Sequence, residues 1–297
     1  MTDTQLYAIF TYVNLMYVII FIYKRGLVAM SDCIEVKKIS EYIREWISKQ
    51  PAVKEESLTD FLLFQLSEKV PRIRYKAFSR QVEAKTTGAD WEWWFVLSNN
   101  CAYKLRIQAK KGFPDNYPHI AHSNRYGMQI EKLLEDAINT NSIPFYAFYT
   151  NEVGKVMCPR GINNEGVYMA GANKVYISFI QGARQKISTQ SILSISNPLS
   201  CFFCCPLVEE ADFRFSDFIE KYYNEENRES IQQALNIEYE KFENKLSTLG
   251  LHKSIPNYVS ALMRQNNNID SWYEDEFRNT IKDIDAIVVY DLRNRNI

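Results

Sequence analysis

Two short segments in which polar and apolar residues alternate constrain the fold of this chain most strongly. One reads Asp-Trp-Glu-Trp-Trp-Phe from Asp90, and the other reads Arg-Ile-Gln-Ala-Lys-Lys from Arg106. Successive side chains of a β-strand point to opposite faces, so Asp90 and Glu92 share one face, as do Gln108 and Lys110. The alternation therefore predicts two strands that pack apolar faces on a core and bring an acid, an amide and a lysine together.

The composition is that of a globular protein with no overall attraction to nucleic acid. Of the 297 residues, 46% are hydrophobic and 24% are charged, and the formal net charge is −1. Such a chain can bury a sizeable core, but it lacks the basic excess that coats nucleic acid. A nucleic-acid partner would need a local basic surface, for which the candidates are Lys104, Arg106, Lys110 and Lys111, with Arg80 and Lys85 nearby in sequence.

The six cysteines predict reduced thiols in a cytoplasmic protein, because they are too few for a disulfide-stapled secreted domain. Cys201 and Cys204 have the spacing of half a zinc site, and Cys158 is a further candidate ligand. No second pair at that spacing exists, and two phenylalanines separate the first pair. The pattern therefore favours burial over zinc binding.

Residues 1–29 are predicted to be either a membrane anchor or an upstream extension of the reading frame. Residues 6–23 carry no charge, and as a helix they would span about 27 Å, close to the roughly 30 Å of a bilayer core. Lys24 and Arg25 follow, which would anchor the chain in the inner membrane with its body in the cytoplasm. Met30 also reads as a natural start, which would give a cytoplasmic protein. The sequence leaves both readings open.

The pattern of apolar residues and chain breakers predicts a helix, a three-strand meander, a helix and a strand before residue 150. The predicted helices are residues 34–49, 55–69 and 125–139, and the predicted strands are residues 73–84, 89–97, 102–111 and 145–149. Later segments predict a strand at 174–181, a helix at 209–249 and a strand at 286–290. We therefore expect an α/β core over residues 30–150 and a mixed α+β extension over residues 151–297 that completes or flanks it.

These elements and residues resemble the PD-(D/E)XK nuclease superfamily, whose restriction-endonuclease-like core has the order αβββαβ and a mixed sheet. In that family an Asp begins the second strand, and an acid or Gln, any residue and then a Lys lie on the third. Asp90 and Gln108-Ala109-Lys110 are similar to these positions. Together with Glu-Ser-Leu-Thr-Asp from Glu56, the segments look like one bacterial branch of the superfamily. The resemblance covers roughly residues 53–150.

The resemblance implies a site for Mg²⁺, with Mn²⁺ as a substitute, in which Asp90 is the main ligand. Mg²⁺ keeps several of its waters, so one or two carboxylates suffice. Because Gln108 offers only a neutral amide oxygen, a second carboxylate is expected from the first helix of the core. Glu56 is the choice for this ligand, and Glu55 and Asp60 are its rivals.

Three further residues have roles that the resemblance implies. The backbone carbonyl of Ala109 would be another ligand of the cation. Lys110 would orient the attacking water or stabilise the charged phosphorane, which an ammonium group can do. Gln129 lies on the helix after the third strand, where related nucleases often carry a glutamine.

The implied activity is that of a metal-dependent nuclease that hydrolyses phosphodiester bonds in DNA, with RNA as a second candidate and bacterial defence as the context. Its catalytic set would be Glu56, Asp90, Gln108 and Lys110. The neutral Gln108 leaves open a catalytically inactive module on the same fold that binds nucleic acid or protein.

The site residues also have purely structural readings. Asp90 can begin a strand as a turn residue, and Lys110 with Lys111 can form a solvated strand end. Glu92 shares the face of Asp90 and is either a metal ligand or an exposed strand acid. The tryptophans of the first segment are expected to pack in the core rather than to stack on bases.

Overall fold

Short strands and helices make up the part of the chain that the structure describes. The computed structural model describes residues 31–78, 87–124, 127–158, 164–180, 187–205, 214–219, 249–264 and 284–293. The helices in these ranges are α1 (31–49), α2 (Glu55–Lys69), α3 (Gln129–Asn139), α4 (Ala172–Phe179), α5 (Thr189–Ser194), α6 (Phe215–Ile219) and α7 (Asn257–Arg264). The strands are β1 (Ile73–Ala77), β2 (Trp91–Ser98), β3 (Cys101–Lys111), β4 (Ser123–Asn124), β5 (Gly127–Met128), β6 (Ile143–Tyr149), β7 (Val167–Gly171), β8 (Asn197–Pro198), β9 (Leu251–His252) and β10 (Ala286–Asp291).

One mixed, open sheet lies at the centre of the described residues. Its strands follow the order β1-β10-β2-β3-β6-β7-β8, and β9 pairs with the beginning of β3. The pairs β10–β2 and β3–β6 are parallel, and the other neighbours in this sheet are antiparallel. Strands from both sides of residue 150 therefore build one layer, and the fold class is α/β, as the sequence predicts.

The antiparallel pair of β2 and β3 sorts its side chains onto two very different faces. Trp91 lies opposite Ile107 in the register, so the odd-numbered residues of both strands share the first face. On that face the ring of Trp93 stacks on Phe202, with the centroids 6.2 Å apart. The tryptophans of β2 are fully buried, which confirms that they pack in the core.

The second face of the pair buries a charged network. Glu92 accepts a hydrogen bond from the hydroxyl of Tyr258 in α7 (2.6 Å) and pairs with Lys104 (3.1 Å) and Arg106 (3.4 Å). Burial alone would raise the pKa of Glu92, but the two cations and the hydrogen bonds hold it below its usual value. Arg106 also lies 3.3 Å from Asp136 of α3. The network therefore joins α3 and α7 to this face of the sheet.

This network overturns two expectations from the sequence. Lys104 and Arg106 cannot form a basic surface, because their side chains are buried against Glu92. Glu92 is not an exposed acid, and its carboxylate oxygens are already engaged by cations and donors. Cross-strand neighbours of opposite charge satisfy one another here, which is what allows them to be buried. Arg80 and Lys85 lie outside the described residues.

Most of the predicted elements before residue 150 are confirmed. The helices α1 and α2 and the strands β2, β3 and β6 agree with the predictions apart from their ends. The predicted helix at 125–139 begins only at Gln129, because β4 and β5 form a hairpin before it. The predicted strand at 73–84 is confirmed as far as Ala77, and residues 79–84 lie outside the described residues.

After residue 150 one prediction is wrong and another is confirmed. The prediction of a strand at 174–181 is wrong, because the described residues up to Phe179 form the helix α4, in which Ala172 and Val175 lie one turn apart and are both buried. The last predicted strand is confirmed as β10, which inserts between β1 and β2. Residues 6–23 and most of the predicted helix at 209–249 lie outside the described residues. None of the helices that the structure describes has the length and apolar character required to cross a bilayer.

The expectation that all six thiols are reduced is wrong for one pair. Cys33 of α1 and Cys204 form a disulfide, with their Cα atoms 5.7 Å apart, a separation typical of such bonds. The two residues are 171 positions apart in the sequence, and they meet because α1 lies beside the segment that follows β8. Cys158 and Cys201 are buried, as the burial reading of this segment predicts.

A glycine shapes the loop that leads into β2. Gly88 has a φ of 68°, a left-handed conformation that glycine adopts without strain. A Cβ atom at this position would lie 2.5 Å from the carbonyl oxygen of Gln129 and 2.9 Å from the backbone nitrogen of Leu133. The loop before Asp90 can therefore lie against the first turn of α3 only because residue 88 has no side chain.

We expect Gly88→Ala to lower the free energy of unfolding by about 2–5 kcal/mol, from left-handed strain and overpacking together. Gly127→Ala is the matched control, because Gly127 also has a positive φ, of 107°, but its added Cβ would meet only the end of Lys132, at 4.0 Å. That control should lose about 1–2 kcal/mol, the backbone strain alone. Urea denaturation measures both changes, and equal losses would contradict the close packing of Gly88 on α3.

Candidate functional site

Backbone hydrogen bonds on both sides hold Asp90 at the beginning of β2. Its N–H donates to the carbonyl oxygen of Ile107 in β3 at 2.8 Å, and its carbonyl oxygen accepts from the N–H of Asp285, just before β10, at 2.8 Å. The register of β2 and β3 places Asp90 opposite Gln108, and opposed residues of neighbouring strands point to the same face. Asp90 therefore lies directly before β2 and in register with β3, and its carboxyl group is directed toward β3.

The carboxyl group of Asp90 joins a chain of polar contacts that runs to α3. Its Oδ2 accepts hydrogen bonds from Nε2 of Gln108 and from the N–H of Ala109, both at 2.6 Å. The same Nε2 lies 3.0 Å from the carbonyl oxygen of Ala109. On its other side, Oε1 of Gln108 accepts from Nε2 of Gln129 at 2.7 Å. The structure thus brings together four residues that the sequence analysis singled out, Asp90, Gln108, Ala109 and Gln129.

The acid that α2 contributes is Glu55 rather than the predicted Glu56. Oε2 of Glu55 accepts a hydrogen bond from the N–H of Lys111 at 2.6 Å, and Oε1 lies 4.0 Å from Nζ of Lys110. The side chain of Glu56 is exposed, as is that of the other rival, Asp60. Glu55 lies one turn before the buried positions of α2, which are Leu58, Thr59, Leu62, Leu63 and Leu66. Extending this stripe backward along the helix would have identified Glu55 from the sequence.

Lys110 lies on the same face of β3 as Gln108, and its side chain is buried. The reading of Lys110 as a solvated strand end is therefore wrong, whereas Lys111 is half-buried. The cluster opens to solvent on its acidic side, because Asp90 and Glu55 are partly exposed while Gln108 and Lys110 are buried.

Two residues outside the predicted set also belong to this end of the sheet. Asp285 precedes β10 and lies opposite Asp90 across the parallel pair of β10 and β2. Tyr146 of β6 lies opposite Gln108 across the parallel pair of β3 and β6. Sequence reasoning missed both because it predicted the strands without their order in the sheet. The sequence signal for Asp285 was its position directly before the apolar run at 286–290, and Tyr146 had no such signal.

Burial and unequal charge perturb both acids of the cluster. Burial raises the pKa of Asp90 to about 7, and the negative charges of Glu55 and Asp285 add to the rise while Lys110 opposes it. Burial also raises the pKa of Glu55, again against the positive charge of Lys110. One ammonium group thus acts on several carboxyl groups, an arrangement that often marks a functional site.

Comparison with known proteins identifies a family. Residues 33–295 match the Family of unknown function (DUF6615). The chain belongs to this family. No curated protein matches the chain. Neither finding bears on the resemblance to PD-(D/E)XK nucleases, so the function of this DUF6615 member has to be argued from the site itself.

The atoms around Asp90 suit a hard divalent cation rather than zinc. In the part of the chain that the structure describes, no three His, Cys, Asp or Glu side chains are arranged to hold a metal ion. Mg²⁺ does not need such a group, because one or two carboxylates with further oxygens and waters suffice. Asp90, Glu55 and the carbonyl of Ala109 offer only oxygens. The amide nitrogen of Gln108 lies within hydrogen-bond distance of both Oδ2 of Asp90 and the carbonyl oxygen of Ala109. These two oxygens therefore already share one positively polarised group, as they would share a cation.

The raised pKa of Asp90 gives the protein without a cation a specific dependence of stability on pH. Between about pH 4 and pH 7 the folded state keeps a proton on Asp90 that the unfolded state has released. Stability should therefore fall as pH rises through this window, by an amount on the order of 2–4 kcal/mol. Glu165, whose pKa burial also raises to about 7, contributes with the same sign.

We expect Asp90→Asn to reduce the loss of stability between about pH 4 and pH 7, because asparagine cannot titrate. Glu165→Gln should remove a separate part of the same loss. Urea denaturation in EDTA at pH 5, 6, 7 and 8 provides the measurement. An Asp90→Asn variant that keeps the full dependence of the wild-type chain would show that Asp90 is not the titrating group.

Proposed function

We propose that this DUF6615 chain is a metal-dependent nuclease that hydrolyses phosphodiester bonds, with DNA as the first substrate and RNA as the second. The observation that carries the proposal is the meeting of Asp90, Gln108, Lys110 and Glu55 at one end of the β2–β3 pair. An acid, an amide and a lysine from two neighbouring strands are joined there by an acid from α2.

Asp90, Glu55 and the carbonyl oxygen of Ala109 would hold Mg²⁺ or Mn²⁺, and Gln108 would add its amide oxygen. When bound, the cation would make water more acidic and neutralise charge on the phosphate. Gln108 and Gln129 are both amides, so each can donate to or accept from the other. The pair can therefore present either the nitrogen or the oxygen of Gln108 to Asp90 and still keep one hydrogen bond to α3.

Lys110 is the residue that would assist the chemical step. During hydrolysis the oxygen of water attacks phosphorus, the bond to the leaving oxygen breaks, and negative charge grows on the phosphate oxygens. An ammonium group beside that position stabilises the developing charge or orients the water. Lys110 is only 8% exposed, so solvent and salt screen its charge less than they screen a surface lysine.

The order of the elements supports a restriction-endonuclease-like core. The succession α2, β1, β2, β3, α3 and β6 is αβββαβ apart from the β4–β5 hairpin, with β2 and β3 antiparallel and β3 parallel to β6. The sheet departs from this simple order in one place, because β10 inserts between β1 and β2. Through β10, the C-terminal extension completes the core. The insertion leaves the β2–β3 pair intact. Bacterial defence is the context that the resemblance suggests for such a nuclease.

A rim of aromatic and basic side chains beside the site suits nucleic acid. Phe113, just after β3, is 48% exposed. Nζ of Lys111 lies 5.4 Å from the centroid of its ring, and the ring of His119 lies 5.8 Å from it. Exposed aromatic rings stack on bases of any sequence, and cations beside them meet the phosphates. Of the basic surface that the sequence predicts from Lys104, Arg106, Lys110 and Lys111, only Lys111 belongs to this rim, together with Phe113 and His119.

A specific observation favours an inactive binding module as the second candidate. Asp90 already accepts two hydrogen bonds from β3, and its pKa of about 7 leaves much of it protonated in neutral solution. A carboxyl group satisfied in this way can simply join β2 to β3. The rim would then bind nucleic acid or protein without cleavage.

Two neighbouring glutamates provide a matched test of the site. Glu55→Gln removes the acid that faces Lys110, whereas Glu56→Gln changes an exposed acid on the same turn. With single- and double-stranded DNA and RNA in Mg²⁺, we expect Glu55→Gln to lower kcat/KM by about 100-fold and Glu56→Gln to keep the wild-type rate. EDTA, Asp90→Asn and Lys110→Ala should each abolish cleavage, with circular dichroism as the check that each variant is folded.

The same variants separate the two candidate functions. A nuclease should bind Mn²⁺ in calorimetric titrations and lose that binding in Asp90→Asn. An inactive module should show no Mn²⁺ binding that depends on Asp90 and should bind nucleic acid equally well in EDTA. Cleavage that persists in folded Asp90→Asn and Lys110→Ala would eliminate the nuclease proposal.

A further inference from the structure

A buried hydroxyl group lies on the same face of the sheet as the proposed site. Tyr146 of β6 is opposite Gln108 of β3, and its side chain is fully buried. The hydroxyl oxygen has no hydrogen-bond partner among the described residues. Burial of a hydroxyl group without a partner costs free energy that a phenylalanine would not cost. The hydroxyl of Tyr146 therefore needs a reason beyond packing.

The electrostatic surroundings of Tyr146 are those of the proposed site. Burial raises the pKa of its hydroxyl, and the negative charges of Asp90 and Glu55 raise it further. The phenol therefore stays neutral near pH 7, and a neutral tyrosine can both donate and accept a hydrogen bond.

Neighbouring tyrosines show how a buried hydroxyl is satisfied elsewhere in this protein. The hydroxyl of Tyr149, on the same strand but the opposite face, lies 3.0 Å from Oγ1 of Thr59. The hydroxyl of Tyr117 donates to the carbonyl oxygen of Tyr149 at 3.1 Å. The ring of Tyr146 does pack, because it stacks on Phe148 with the centroids 5.4 Å apart. That contact accounts for the ring and leaves the hydroxyl unexplained.

We propose that Tyr146 is a positioning residue of the cation site, and that its hydroxyl forms a hydrogen bond with an oxygen atom bound beside Asp90 and Gln108. That oxygen belongs either to a water that accompanies the cation or to the substrate phosphate. The inference rests on the proposed function, since it requires the cation site. It fits the donor set because Mg²⁺ keeps several waters, and such waters need partners in the surrounding protein.

Removal of the hydroxyl alone tests this role, with a matched control on the same strand. Tyr146→Phe removes the hydroxyl without a partner, and Tyr149→Phe removes a hydroxyl that already has one. Three measurements on the full chain compare them: the denaturation midpoint in EDTA, the affinity for Mn²⁺ alone by calorimetry, and KM and kcat for DNA in Mg²⁺.

We expect Tyr146→Phe to keep or raise the midpoint. If the oxygen is that of water, Mn²⁺ affinity should fall about three- to tenfold, the effect of one hydrogen bond. If the oxygen is that of phosphate, Mn²⁺ affinity should stay the same and KM for DNA should rise by a similar factor. Tyr149→Phe should lower the midpoint and leave Mn²⁺ affinity and KM unchanged.

Failure of this inference can be told apart from failure of the proposed function. If the wild-type chain binds Mn²⁺ and cleaves DNA while Tyr146→Phe has the same Mn²⁺ affinity and KM, only the role of Tyr146 is overturned. A lower midpoint with unchanged affinity and KM also overturns it, because the hydroxyl would then be structural. A wild-type chain that binds no Mn²⁺ overturns both proposals.

Discussion

The antiparallel register between β2 and β3 is the constraint on which the rest of the structure depends. Odd-numbered residues of the two strands lie opposite one another, so Trp91, Trp93 and Phe95 share one face, and the charged residues share the other face with Trp94. A slip of one residue would turn the charges into the aromatic core, which specifies the register strongly. The same register sets Asp90 opposite Gln108 and Glu92 opposite Arg106. The register thereby separates two polar clusters: the partly exposed cluster around Asp90 at one end of the pair, and the buried network around Glu92 further along the strands.

The two polar clusters on that face differ in how their charges are balanced. Glu92 meets two cations, and its pKa is lowered despite complete burial. Burial raises the pKa of Asp90, the acids Glu55 and Asp285 add to the rise, and a single lysine, Lys110, opposes it. A buried network whose charges balance holds the strands and helices that it joins in one arrangement. An excess of negative charge at a partly open site favours a bound cation, so the end of the pair is where we expect chemistry.

The local sequence pattern was sufficient to predict most of the helices and strands, and to predict which residues of β2 and β3 share a face. Strict alternation predicted that Asp90, Gln108 and Lys110 would share one face, and the structure places them there. The same alternation would have placed Lys104 and Arg106 beside Glu92, but the reading of these residues as a basic surface ignored their cross-strand partner. The sequence of α4 does not distinguish a helix from a strand, because a short run with β-branched residues has no clear period and packing decides its conformation.

The composition of the candidate site depends on topology that no local pattern reveals. Glu55 comes from the first turn of α2, Asp285 from the segment before β10 and Tyr146 from β6, and all three reach the same end of the β2–β3 pair. A helix turns about 100° per residue, so Glu55 and not Glu56 continues the buried stripe of α2, but only the way α2 lies on the sheet brings Glu55 close to Lys110. Gln108, although neutral, therefore does not leave the site short of negative charge. Elements outside the short motif bring the acids that the motif itself lacks.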